Sequence, residues 1–169
     1  MTDKGLNLIK KWEGCKLEAY KCPSGVPTIG WGQTYYPNGK KVQMGDKITQ
    51  EQADEMFKWL VENKYENQVK MLLGEELNAI LPGISKEALV SFTYNCGVKA
   101  FAQSTLLKKI KANKNDLISI KKEFDKWVKS NGKTLPGLVK RRNAEFELYT
   151  EGILSQYTKR ELLTLFTGI

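Results

Sequence analysis

Histidine is absent from the 169 residues, which excludes a histidine-based triad and any histidine-ligated metal. Cysteine is scarce. Three residues, with no Cys-x-x-Cys pair, give neither a disulfide framework nor a zinc pattern. Cys15 and Cys22 have the option of pairing in an oxidising compartment, but the fold does not require it. No run approaches the ~20 apolar residues of a membrane span, and Met1–Gly5 leads into an amphipathic pattern rather than an apolar leader segment. Neither stable membrane insertion nor an export signal is expected. Internal repeats and low-complexity segments are missing as well.

What is present is the composition of a soluble globular chain, 41% hydrophobic and 27% charged, at a length that buries a core without staples. The net charge of +8 attracts polyanions such as nucleic acid, anionic lipid or an acidic wall polymer, without choosing among them. The lysines from Lys108 to Lys114 read most simply as a solvated helix face.

Apolar spacing predicts an α+β, mainly α, architecture. A first helix covers 3–13, with Leu6, Leu8, Ile9 and Trp12 inward, a cap at Thr2 or Asp3 and a stop at Gly14. Short strands follow at Leu17–Tyr20 and Val26–Trp31, turned by Pro23-Ser24-Gly25. A second turn at Pro37-Asn38-Gly39 precedes a third strand at Lys41–Gln43. The capping box Thr49–Gln52 opens a long helix that ends at Gly74. A brief helical piece, Leu77–Leu81, is closed by Pro82-Gly83. Ser85 caps Lys86–Cys96, which is apolar on most sides and so should be the buried central helix. Ser104–Ala112 and a helix from Asn115 or Asp116, closed by Gly132, come next. Pro136 starts a helix to about Tyr149, which Gly152 breaks. A last capping box, Thr158–Glu161, opens a helix through Phe166. The chain then reads as one domain. A small lobe (about 13–50) is joined by the long helix to a helical lobe (about 75–152 plus the first helix), with an extension at about 153–169. Trp12, Leu60, Leu89, Phe92, Phe124 and Trp127 are the predicted core.

The least typical stretch is Glu13–Thr34, where a carboxylic acid at a helix end faces a hairpin carrying a thiol and a hydroxyl. Glycoside hydrolysis needs a proton donor at the leaving oxygen and a group that handles water or the sugar carbon. Glu13 fits the donor, because burial beside Trp12 would favour its protonated form. The Thr28 hydroxyl can hold a water. Cys22 is the unusual member, since an unperturbed thiol titrates near ~8.5. Residue types and spacing leave plainer readings open: a solvated glutamate, a small buried cysteine and a strand-forming threonine.

The pattern Glu13-x8-Cys22-x5-Thr28, followed by Ile29-Gly30-Trp31-Gly32, resembles the active-site segment of phage-type (T4-like) lysozymes, the endolysins, in which the middle position is Asp or Cys. Two further segments agree. One is Ala88–Gly97 with Phe101 and Ser104-Thr105-Leu106; the other is Leu135-Pro136-Gly137-Leu138 with Arg141-Arg142 and Glu145. The resemblance covers residues 3–152. It implies a lysozyme-like fold and cleavage of the β-1,4 bond between N-acetylmuramic acid and N-acetylglucosamine in peptidoglycan. It assigns catalytic roles to Glu13, Cys22 and Thr28, with Thr34, Tyr94 and Ser104 lining the sugar cleft. It also implies a monomer that uses no cofactor or metal and binds no nucleic acid. Such a chain would accumulate in the host cytoplasm and reach the wall through a separate, holin-like pore. Gln33 stands where the family commonly has His, which weakens any pairing with an acidic partner. The alternatives are a non-enzymatic peptidoglycan-binding module and a lytic transglycosylase.

Overall fold

The computed structural model describes residues 1–158 and 161–162. Helix α1 (Asp3–Lys10) is capped by Thr2, whose hydroxyl accepts from the Gly5 amide, and it buries Leu6 and Ile9. It stops three residues before its predicted end. The amides of Trp12 and Glu13 donate to the carbonyls of Ile9 and Lys10, three residues back, so the helix tightens into a turn that carries Glu13.

Strands β1 (Lys16–Lys21) and β2 (Pro27–Gly30) form the antiparallel hairpin, with Tyr20 opposite Thr28 and Lys21 opposite Pro27. The third strand predicted at Lys41–Gln43 reduces to one isolated bridge, Tyr35 to Lys41, and a second bridge joins Glu18 to Lys47 further on. Ala19, Ile29, Val42 and Met56 form a small core of their own beneath it.

The long helix is interrupted in its interior. Helix α2 (Gln50–Leu60) has the reciprocal Thr49/Gln52 cap. Val61–Glu66 widens into a π-helix, and α3 (Asn67–Leu73) runs on to Gly74. The side-chain amides of Asn63 and Asn67 donate to the carbonyls of Trp59 and Asn63, two of the acceptors along this irregular stretch. Then come α4 (Glu75–Ile80), α5 (Gly83–Cys96), α6 (Val98–Gln103), α7 (Thr105–Ala112), α8 (Leu117–Asp125), the two-residue strands β3 (Lys129–Ser130) and β4 (Lys133–Thr134), and α9 (Pro136–Leu154). Helix α5 is the buried centre, and it packs mainly on α9 and also on α1. Phe92 sits edge-on to Phe101, Phe124 and Trp127.

Several punctuation residues act differently from their sequence reading. Ser85 lies inside α5 rather than capping it, and its hydroxyl donates to the Tyr149 carbonyl. Gly152 lies inside α9 rather than breaking it. A Cβ there would meet the Ser85 hydroxyl and, at 2.6 Å, the Ser85 amide nitrogen, so glycine is what lets α5 and α9 approach. Gly132 does not close α8; Asn131 and Gly132, both at positive φ, turn the β3–β4 hairpin. The reciprocal Thr158/Glu161 contact is present, while the helix expected onward through Phe166 lies outside the described residues beyond Leu162.

Of the predicted core, Leu89, Phe92 and Phe124 are fully buried. Trp12 and Trp127 are half-buried because each lies past the end of the helix whose periodicity was used. Leu60 is half-buried too, flanked by the buried Phe57 and Val61. Phe92→Ala should therefore cost ~3–5 kcal/mol, and Leu60→Ala distinctly less. Urea melts of the two variants check this order, and equal losses would contradict it.

Candidate active site

Glu13 is held by a charged cluster on α9. Arg141 Nη1 donates to Glu13 Oε1 at 2.8 Å, and the Glu13 side chain keeps 26% of its surface exposed. Arg141 is itself buried, with Nε on Glu145 Oε1 (3.1 Å) and Nη2 on the Ser91 carbonyl (3.3 Å). Glu145 Oε1 also accepts from Ser91 Oγ (2.7 Å) and Arg142 Nη2 (3.0 Å). Arg142 Nε lies 2.8 Å from Glu145 Oε2, close enough to pair in charge but off the N–H axis, so neither atom gains a hydrogen bond there. Two guanidinium groups against one buried carboxylate leave a positive excess, and the Glu13 carboxyl meets it at the cluster's solvent edge. The partner that holds this acid is a buried arginine.

Cys22 and Thr28 stand on the β1–β2 hairpin. No hydrogen bond or ion pair among the described residues joins them to Glu13. Cys22 Sγ is 2.9 Å from Ser24 Oγ. The Ser24 hydroxyl, then the Val26 and Ser24 amides, stabilise the thiolate and bring the Cys22 pKa down to about 7. Thr28 is 3% exposed and donates to the Val26 carbonyl (2.9 Å), which leaves its oxygen free to accept from a water. All three cysteines are free thiols. Pairing of Cys15 with Cys22 is ruled out by β1 itself, since six extended residues separate them by roughly 20 Å, far beyond disulfide reach.

Tyr94, on α5, ties that helix to the end of the hairpin. Its hydroxyl donates to the Trp31 carbonyl (2.8 Å), just past β2, and its ring lies 4.8 Å from that of Tyr65. Burial raises both phenols most, and the Glu13 charge raises them further. Thr34 is half-buried, and its carbonyl accepts from the Val42 amide. Ser104 is not brought to the cleft. It is 4% exposed, and its hydroxyl is committed to the α7 cap, accepting from the Leu107 amide and donating to the Phe101 carbonyl. Gln33 is buried with Oε1 on the Trp31 amide (2.7 Å) and pairs with no acidic residue. Sequence reasoning missed Arg141 and Tyr65 as site residues. Arg141-Arg142 with Glu145, at helical i+3/i+4 spacing, was a legible sign of paired charge. Tyr65 gave no such sign, because its placement depends on the π-helix.

A sequence profile of the phage lysozyme family matches residues 10–145. The endolysin of Acyrthosiphon pisum secondary endosymbiont phage 1 is 41% identical over 153 residues, covering 88% of this chain and 97% of that protein. The endolysin of Bacillus phage PZA is 34% identical, and the match takes in 90% of this chain but only 55% of that longer protein. Among solved structures, the endolysin from Escherichia coli O157:H7 phage FAHEc1 superposes with a TM-score of 0.74 at 36% identity, over 94% of this chain and 96% of that one. The lysozyme of phage P22 does so with a TM-score of 0.74 at 30% identity, over 89% and 97%.

Proposed function

The chain belongs to the phage lysozyme family and is a glycoside hydrolase of the lysozyme type, and we propose that it cuts the β-1,4 bond between N-acetylmuramic acid and N-acetylglucosamine with Glu13, Cys22 and Thr28. The observation that carries this reading is a Glu13 carboxyl held by a buried arginine in a chain whose hairpin bears a thiol of pKa about 7 and a threonine hydroxyl with a free acceptor side. Protonated Glu13 delivers its proton to the leaving glycosidic oxygen. Arg141, fixed from behind by Glu145 and Ser91, keeps that carboxyl aimed at the cleft. On the hairpin, Thr28 positions a water and the Cys22 thiolate draws a proton from it as it attacks the sugar carbon. Tyr94 and Thr34 are the residues best placed to touch the glycan, whereas the capping role of Ser104 leaves it no hydroxyl to offer.

Mass spectrometry of the muropeptides released from purified walls tests the reading. Hydrolysis leaves reducing N-acetylmuramic acid ends. Anhydro ends would identify a lytic transglycosylase, and wall binding without products would identify a non-enzymatic module.

Peptidoglycan peptides carry carboxylates, so the net charge of +8 should speed encounter with the wall. Below saturation, the lysis rate is expected to fall as salt rises, because charges are screened over ~10 Å at 0.1 M ionic strength. A turbidity assay across ionic strength checks this, and a flat profile would remove charge steering from the account.

A further inference from the structure

We propose that Asp54, on α2, is a positioning residue that fixes the separation between Glu13 and the hairpin carrying Cys22 and Thr28; this rests on the catalytic reading above. One carboxylate oxygen, Oδ1, accepts from three elements at once: Lys10 Nζ at the end of α1 (2.7 Å), the Trp31 indole Nε1 beyond β2 (2.8 Å) and Gln50 Nε2 on α2 (3.1 Å). Two of these ties lead toward the chemistry. The Lys10 carbonyl accepts the Glu13 amide (3.2 Å), so the residue whose ammonium Asp54 holds also closes the turn that presents the acid. Trp31 follows Thr28 by three residues, and its carbonyl receives the Tyr94 hydroxyl. The Lys10 ammonium sits 5.2 Å from the Trp31 ring centre and 5.6 Å from that of Phe57, so cation and indole are seated against each other as well as on Asp54. Burial pushes the Asp54 carboxyl up, but Lys10, Trp31 and Gln50 outweigh it and hold the group below the usual carboxylate range, charged at neutral pH.

The Asp54 side chain is 41% exposed, and ion pairs that open to solvent add little to stability. Its three-way grip is therefore better explained by geometry than by folding. Proton donor and water must face opposite sides of one bond, and an ångström of misplacement costs roughly a hundredfold in rate. Asp54 is the point at which the acid's turn and the hairpin's far end are tied to the same atom.

The test measures kcat and KM on soluble, uncross-linked glycan strands for the wild type, Asp54→Ala, Asp54→Asn, Lys10→Met and Glu13→Gln. Lys121→Gln, which breaks an exposed pair with Asp125 within α8, is the control. Asp54→Ala is expected to lower kcat roughly tenfold to a hundredfold with KM changed by less than about twofold, and to leave the pH at which activity rises unmoved. Asp54→Asn should recover much of the loss, since its amide oxygen still accepts the Trp31 N–H. An unchanged kcat, a rise in KM with kcat held, or an equal loss in Lys121→Gln would overturn the proposal. Should Asp54→Ala not fold, Lys10→Met decides by the same kcat criterion, because it removes one donor and leaves the carboxylate in place. The two readings fail separately. An active Glu13→Gln enzyme sinks the catalytic assignment, whereas an inactive Glu13→Gln beside a fully active Asp54→Ala sinks only the positioning role.

Discussion

Glu13→Gln is expected to lower the hydrolysis rate by ~10²–10⁴-fold while leaving the protein folded. The change is isosteric and removes the transferable proton. Its effect on the scaffold is limited by the way Arg141 is shared. The guanidinium loses a charged partner at Nη1, but the amide oxygen can still accept there, and its contacts to Glu145 and the Ser91 carbonyl stay. The residue is also partly solvated, so no charge is stranded in the interior. Circular dichroism and a thermal melt establish the fold, and muropeptide release from purified walls measures the rate. A correctly folded variant that hydrolyses walls at the wild-type rate would remove Glu13 from the chemistry, and the Arg141 pair would then be an ordinary structural contact.

Much of this molecule was legible in its residues wherever one local signal had a single structural meaning. The Thr49/Gln52 box, Pro136 at the first turn of α9, the helix start at Asp116 and the Pro23–Gly25 turn all act as read. One cause of misreading is that glycine has two uses. At Gly74 and Gly97 it ends a helix with positive φ. At Gly152 the same residue type sits inside a helix because Ser85 of α5 occupies the space a side chain would need. That partner lies 67 positions away, so no local pattern could separate the two uses. Asn131-Gly132 is the opposite case. The pair has a strong hairpin meaning, but the strands it joins are two residues each and leave no alternation to detect.

The site divides the same way. Glu13, Cys22 and Thr28 stand out as chemistry at a fixed spacing in one short stretch. Their supports come from afar: Arg141 is 128 positions from Glu13, and Tyr65, which packs on Tyr94, comes from the π-helical turn. Ser104 was misplaced because a serine before a helix suits both a cap and a cleft. Its burial and two hydrogen bonds decide for the cap.

Cys22 should give the enzyme a pH dependence that a carboxylate in its place would not. With its pKa at about 7, the thiolate fraction rises about tenfold between pH 6 and pH 8, and kcat/KM should rise with it if the thiolate is the base. The sign follows from the lowered value. The thiolate is the active form, so activity is gained as pH rises through about 7 and lost below it. Cys22→Asp should work and flatten this limb, since a carboxylate near its ordinary ~3.9 is ionised throughout the range. Cys22→Ser should lose ~10²–10⁴-fold at every pH, because a hydroxyl does not ionise there. Alkylation gives an independent arm. Burial first of all raises the Cys15 and Cys96 thiols, which slows them toward iodoacetamide at neutral pH while Cys22 reacts. The cleanest background is Cys15→Ser with Cys96→Ser, because Cys96 Sγ accepts from Arg142 Nη1 at 2.9 Å and a serine keeps an acceptor there. In that background, stoichiometric modification of Cys22 should abolish lysis, and bound glycan oligomers should delay the loss. A glycosyl adduct on Cys22 in the intact mass spectrum would make the thiol a nucleophile instead of a base. Full activity after complete alkylation would leave Glu13 and Thr28 to act without it.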